Sequence, residues 1–219
     1  MIGLAIVKDL SLKSLSWLIT GLFLYGIAVA MLVQASLGLA PWNTLASGLV
    51  ELTGISFGMM TNLIGLAVLL VWIPLRQRPG VGTVLNVLLV GTSAELGLWL
   101  IPQPSALVAQ IALFGAGLIL LAAATGIYIA PGLGPGPRDG LMTGLHQRTG
   151  APVWLCRAGV EITVLAIGWM LGGMVGLGTV AEAMLIGPLV HRTLPFFRAM
   201  YAGPQPLAEP VVAPAPPSC

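Results

Sequence analysis

The chain has 219 residues, 57% of them hydrophobic and only 7% charged, against about 25% charged in an average soluble domain. So few charges cannot coat a water-facing surface, and a net charge of +2 spread over scattered basic residues excludes a nucleic-acid partner. Apolar runs of about 20 residues, the span of a bilayer's hydrocarbon core, recur along the length. They identify an all-α polytopic membrane protein whose surroundings are the lipid bilayer.

The amino terminus resembles a signal peptide, with Lys8 and Lys13 ahead of an apolar run. That run, about Leu15 to Leu37, is too long for an h-region of about 7–15 residues. It is read instead as part of helix A, about Leu12 to Leu37, with Trp17 at interfacial depth. The loop SLGLAPWNT ends in Pro41, suited to a first helical turn, and leads into short helix B, about Trp42 to Leu52. Gly54 can close B in the left-handed conformation. At 1.5 Å per residue B reaches about half a membrane and cannot span it. Helix C, about Phe57 to Leu75, stops at Arg76, Arg78 and Pro79, and helix D runs from about Val81 to Ile101.

The second half repeats this plan. Residues 132–150 (GLGPGPRDGLMTGLHQRTG) align without a gap on residues 36–54 (SLGLAPWNTLASGLVELTG) at an offset of 96 positions. Leu37, Gly38, Pro41, Leu45, Gly48, Thr53 and Gly54 fall on Leu133, Gly134, Pro137, Leu141, Gly144, Thr149 and Gly150, and Asn43 falls on Asp139. Gly80, Gly82, Thr83 and Gly91 likewise fall on Gly176, Gly178, Thr179 and Gly187. The period gives A′ at about Ala106 to Ala130, B′ at about Arg138 to Arg148, C′ at about Pro152 to Leu171 and D′ at about Gly178 to Phe197. D′ is interrupted by Glu182, Pro188, His191 and Arg192. The first repeat therefore covers 12–101 and the second 106–198. Residues 202–219, rich in Pro and Ala, read as a disordered tail. Cys156 and Cys219 form no disulfide framework and are expected to be free thiols.

Charge placement tests whether B spans. Lys8 and Lys13 put the amino terminus in the cytoplasm. If B and B′ do not cross, Arg76, Arg78, the 138–148 segment, Arg192 and Arg198 all lie inside, and the outer connections carry no Lys or Arg. The expectation is six transmembrane helices plus two half-length, re-entrant or interfacial helices, with both termini cytoplasmic. Three spans per half, an odd number, make the halves an inverted-topology repeat, the plan of many secondary transporters.

Thr44 and Gly48 in B match Gly140 and Gly144 in B′, a small-xxx-small spacing that lets helices approach closely. B and B′ are expected to pack near the pseudo-two-fold axis, each against a neighbouring spanning helix. Asn43 and Asp139 suit capping of their short helices. Equally, GPGPRD presents free backbone N–H groups plus Arg138, an anion site. Arg157 and Glu161 sit four apart on C′ and can pair; an acid at that depth is a functional candidate or half of a structural pair. Asn62, Asn86 and Glu182 add inward polar groups, and Glu95 is placed near the outer interface. His146 and His191 have no partners at metal-ligand spacing. No nucleophile–base set can be assembled, so no enzymatic chemistry, metal or cofactor is expected.

The stretches Ser36–Thr44 (SLGLAPWNT) and Gly134–Leu141 (GPGPRDGL) resemble the YczE/YyaS/YitT group of bacterial integral membrane proteins, over about Leu15 to Arg198. The resemblance implies a bacterial inner-membrane location and no particular substrate. The reading reached is a permease or transporter-like protein for a small solute, bound by Arg138, Asp139, Arg157, Glu161, Asn43, Asn62, Asn86 and Glu182. The alternative is a non-transporting scaffold or accessory subunit; a homo-oligomer is compatible with either. Epitope tags inserted after Leu52 and near Arg148 should report opposite faces of the membrane, and the same face would remove the symmetry.

Overall fold

A computed structural model describes residues 11–202. Lys8, Cys219 and the tail beyond Ala202 lie outside the described residues, which form eight α-helices. These are α1 (Leu12–Ala35), α2 (Pro41–Thr53), α3 (Phe57–Leu75), α4 (Val81–Leu100), α5 (Leu107–Ile129), α6 (Pro137–Thr149), α7 (Val153–Met170) and α8 (Leu177–Ala202). Five of them, α1, α3, α4, α5 and α7, are long and apolar enough to cross a membrane. The short helices α2 and α6 have 13 residues each, about 20 Å.

The boundaries follow from local chemistry. Ser11 caps α1, its hydroxyl accepting from the Ser14 N–H at 3.1 Å. Pro41 and Pro137 stand in the first turns of α2 and α6, where a missing N–H costs nothing. Gly54 and Gly150 end the same helices with φ of 70° each, a left-handed conformation that favours glycine. α8 does not stop at Phe197 as its sequence suggested but continues through Pro188 and Pro195 to Ala202. Its last turns are held by the start of α1: Trp17 packs edge-on against Phe197 and Tyr201, and Lys13 donates to the Tyr201 carbonyl at 2.6 Å.

α1 and α5 pack on each other at the centre, α4 lies against α1, and α8 against α5. The main core gathers Val29, Leu32, Leu39, Phe57, Met60, Phe114 and Leu118. Each short helix docks on the third helix of the other half. Thr44 and Gly48 of α2 meet Gly168 and Gly173 at the end of α7, while Gly140 and Gly144 of α6 meet Trp72 and Leu75 of α3. The loops that precede the short helices cross over in the same reciprocal manner. The Gly82 N–H donates to the Leu133 carbonyl at 2.9 Å, and the Gly178 N–H donates to the Leu37 carbonyl at 2.8 Å. Thr83 and Thr179 complete the match, each hydroxyl accepting from the N–H three residues earlier at 3.2 Å.

The two short helices meet at their first turns, where the Arg138 guanidinium lies over the Trp42 ring, 5.2 Å from its centroid. Farther along they are held apart by their separate docking helices.

A Cβ at Gly140 would overlap the Trp72 indole, whereas one at Gly159 meets nothing. Gly140→Ala should therefore destabilise by about 1–3 kcal/mol, lowering the apparent Tm by roughly 2–4 °C per kcal/mol. Gly159→Ala should leave it unchanged or raise it. Thermal unfolding of both variants in the same detergent checks the pair.

Candidate functional site

α2 and α6 both begin at one cavity of about 430 Å³, within the usual range for small-molecule sites. Its walls come from α1, α3, α4, α5, α7 and α8 as well, so every helix contributes. The floor is set by the two first turns, Pro41–Asn43 and Pro137–Asp139. A helix start carries unpaired N–H groups and the positive end of the helix dipole.

All eight residues named as candidates from sequence line this cavity. Arg157 and Glu161 pair one turn apart on α7, with Nε donating to Oε1 at 3.0 Å. The pair is open, with side-chain exposures of 57% and 33%. Arg138 forms no ion pair among the described residues and rests on Trp42 instead. Asp139 accepts from the Gly136 N–H, which supports its capping role, and its side chain still opens to the cavity. Asn43 does not cap: α2 has no side-chain cap, and the Asn43 side chain is buried at the cavity wall.

Asn62 ties α3 to α4, accepting from the Gly91 N–H at 3.0 Å and donating to the Leu88 carbonyl at 3.3 Å. Asn86 faces the cavity from α4. Glu182 of α8 is 4% exposed. One of its carboxyl oxygens accepts from the Ala40 N–H, while Oε2 has no partner. The Trp42 Nε1 is a second buried polar atom without one. Glu95, placed near the outer interface from sequence, is hydrogen-bonded there: its Oε2 accepts from the Gly58 N–H at 2.7 Å and ties the start of α3 to α4. The polar group is well placed there because Gly58 lets the helices approach within reach of that bond.

Counterparts from the two halves share the lining. Trp42 and Arg138, Asn43 and Asp139, Thr61 and Arg157, Gly65 and Glu161, and Asn86 and Glu182 all border it. In each of these five pairs the residue from the first half is uncharged and the one from the second half is charged, whereas further counterparts in the lining, such as Pro41 and Pro137 or Val90 and Ile186, are uncharged in both halves. Tyr25 and Tyr128 also line it, stacked edge to face at 5.9 Å, and sequence reasoning missed them. The available signal was a phenol inside an apolar helix, whose hydroxyl needs a polar neighbour. No group of three or more His, Cys, Asp or Glu side chains able to hold a metal ion occurs among the described residues.

Asn86 shows that an amide fits the counterpart position of Glu182. Glu182→Gln should therefore leave stability within about 1 kcal/mol of the wild type or raise it, because it removes a buried acid with a free oxygen. Thermal unfolding at pH 7 reads the outcome; a large loss would mean that the carboxyl is a structural anchor.

The comparisons with known proteins agree with this picture of a membrane protein. Residues 12–195 match a family of unknown function, DUF6198. An uncharacterized protein of Haemophilus influenzae is 38% identical over 179 residues, 82% of each chain. The uncharacterized membrane protein YczE of Bacillus subtilis is 32% identical over 177 residues, 80% of this chain and 82% of that one. The Bacillus subtilis protein YyaS is 24% identical over 179 residues. No solved structure shows significant similarity. The chain thus belongs to the DUF6198 family of unknown function and is a relative of the membrane protein YczE.

Proposed function

We propose that the protein is a small permease of the bacterial inner membrane, with its solute site in the cavity at the starts of α2 and α6. On this reading α1, α3, α4, α5, α7 and α8 span the bilayer, α2 and α6 enter halfway from opposite faces, and both termini are cytoplasmic. Residues 12–101 and 106–198 are then inverted halves.

One observation carries the proposal: counterpart residues of the two halves border a single polar cavity. Residues related by an approximate two-fold axis meet only near that axis, so the axis runs through the cavity. The reciprocal bonds Gly82–Leu133 and Gly178–Leu37 support the same relation. Inverted-repeat transporters bind at such a place, where half-length helices direct their amino-terminal dipoles at the solute. The uninterrupted supply of polar groups in an otherwise apolar chain adds support, since ionisable residues at membrane depth mark solute or ion pathways by default. Arg138 and the free N–H groups suit an anionic part of the solute, and Asp139 and Glu182 suit a cationic part.

The test uses purified protein and a panel of small polar metabolites, read by thermal stabilisation and by flux into proteoliposomes. At least one zwitterionic or anionic solute should stabilise the wild type. Arg138→Ala should abolish that stabilisation while keeping the ligand-free Tm. A wild-type protein that answers to nothing in either readout would overturn the proposal.

A further inference from the structure

Resting on the permease reading, we infer that the solute is an amphiphile with a zwitterionic head whose ammonium carries N–H donors, admitted from the cytoplasmic leaflet through a gap between α7 and α8. The gap is where the packing of the two halves differs most. α2 on α7 answers α6 on α3, and α1 with α4 answers α5 with α8. α3 packs closely along α4, but α7 does not pack along α8.

The sequence accounts for the difference. α3 is bolted to α4 by the Gly58 N–H to Glu95 and by Asn62 to the Gly91 N–H, at 2.7 Å and 3.0 Å. Gly58 and Gly91 are so close to the opposite helix that a Cβ on either would collide with it. At the counterpart positions α7 carries Trp154 for Gly58 and Ala158 for Asn62, and α8 carries His191 for Glu95. Trp154 is 70% exposed. Gly187, the counterpart of Gly91, faces open space, with nothing within 4 Å of an added Cβ. Glycine alone cannot draw the helices together where an indole replaces its partner.

The gap leads into the cavity, because Gly187 lines it from α8 and the Arg157–Glu161 pair lines it from α7. Its flanks are apolar and outward-facing, with Ile162 on α7 and Met184 on α8 exposed. Arg157 lies one turn from the start of α7, which the positive-inside pattern assigns to the cytoplasmic side. An opening between the sides of two apolar helices faces acyl chains, so a solute using it has an apolar portion that can stay in lipid. Its other end meets charge. Among the described residues Arg138 has no ion-pair partner and the Trp42 Nε1 and Glu182 Oε2 are buried and unbonded, and Asp139 opens to the cavity. One cation and two carboxyls with spare capacity match a head bearing both an anionic oxygen group and an ammonium. The ammonium carries at least one N–H and is not quaternary, since carboxylates accept from N–H donors and the Trp42 face that would hold a quaternary ammonium is covered by Arg138.

The test reconstitutes the full chain in nanodiscs of phosphatidylethanolamine, phosphatidylcholine and phosphatidylglycerol in equal parts, and measures the lipid retained after extraction by native mass spectrometry. The wild type should keep phosphatidylethanolamine over phosphatidylcholine by about tenfold, the ratio expected when a charge-assisted hydrogen bond is lost. Gly187→Phe, at a position where an added Cβ meets nothing within 4 Å, should obstruct the gap and erase the preference at an unchanged Tm. The triple variant Trp154→Gly, Ala158→Asn and His191→Glu, which supplies the groups of both α3–α4 bolts between α7 and α8, should do the same. Equal retention of the three lipids, or a preference that survives both variants, overturns the inference. Soluble glycerophosphoethanolamine separates head from tail in the wild type. Stabilisation by it, or by another metabolite, without lipid preference leaves a permease for a water-soluble solute and rejects the amphiphile. No stabilisation by any ligand together with no lipid preference rejects both readings.

Discussion

A buried backbone group left without a partner costs about 1–3 kcal/mol, and this chain breaks its helices twice in loops whose carbonyls must find partners elsewhere in the fold. α2 and α6 are too short to carry the chain across, so each must begin and end within reach of other partners. The solution is an exchange. The loop ahead of α2 gives its Leu37 carbonyl to the start of α8, and the loop ahead of α6 gives its Leu133 carbonyl to the start of α4. Gly38 and Gly134 make the approach feasible, with φ of 117° and 128° and no Cβ to hold the loops away. Neither half satisfies its own broken segment, so the halves are interlocked by the same bonds that fix the short helices. The cavity is a consequence: once the first turns of α2 and α6 are held at the middle of the molecule, their N–H groups have to face one another across a space.

The frame is shared evenly between the halves, and the charge is not. The first half supplies Trp42, Asn43, Thr61 and Asn86 to the cavity, groups that can be buried at modest cost when hydrogen-bonded. The second supplies Arg138, Asp139, Arg157, Glu161 and Glu182, and each needs compensation. Arg157 and Glu161 compensate each other. Asp139 uses the Gly136 N–H, and Glu182 takes the Ala40 N–H from the first half. What is left over, Glu182 Oε2 and the Trp42 Nε1, is concentrated in the cavity wall rather than scattered through the core. A buried polar atom left unpaired costs about 1–3 kcal/mol, and a fold tolerates such departures from local consistency mainly where they serve a purpose.

Most of the helix plan was legible because its signals are local or periodic. The boundaries of C were read to the residue, Phe57–Leu75, since Ser56 caps one end and Arg76 turns the other. Length alone identified α2 and α6 as too short to span, and the repeat brought their docking partners into register. The eight polar candidates were found because charge and amide groups are conspicuous in an apolar chain, and all of them border the cavity. The misses have a common cause. The partner of Glu95 and the places of Tyr25 and Tyr128 depend on which helix faces which, a tertiary fact with no local trace. The end of α8 was set too early because proline reads as a break, while the contacts of Trp17 with Phe197 and Tyr201 that hold the last turns join opposite ends of the chain.

The mismatch between α3–α4 and α7–α8 is a property of the sequence rather than of one arrangement of the helices. A rigid shift of α7 toward α8 would still bring Trp154 where the first half has Gly58, and an indole cannot enter the space that lets a backbone N–H reach a carboxylate. Nor can Ala158 supply the amide with which Asn62 grips the neighbouring helix. α7 is therefore held by α2, through the contact of Gly168 with Thr44 and Leu45, and to a lesser extent by α6, and Gly168 is the one buried residue of α7. A helix anchored near one end by a glycine contact and bare along its flank belongs to the less protected part of a fold. The second half thus combines the charged wall of the cavity with an exposed helix flank, while the first half supplies the neutral wall and the bonded seam.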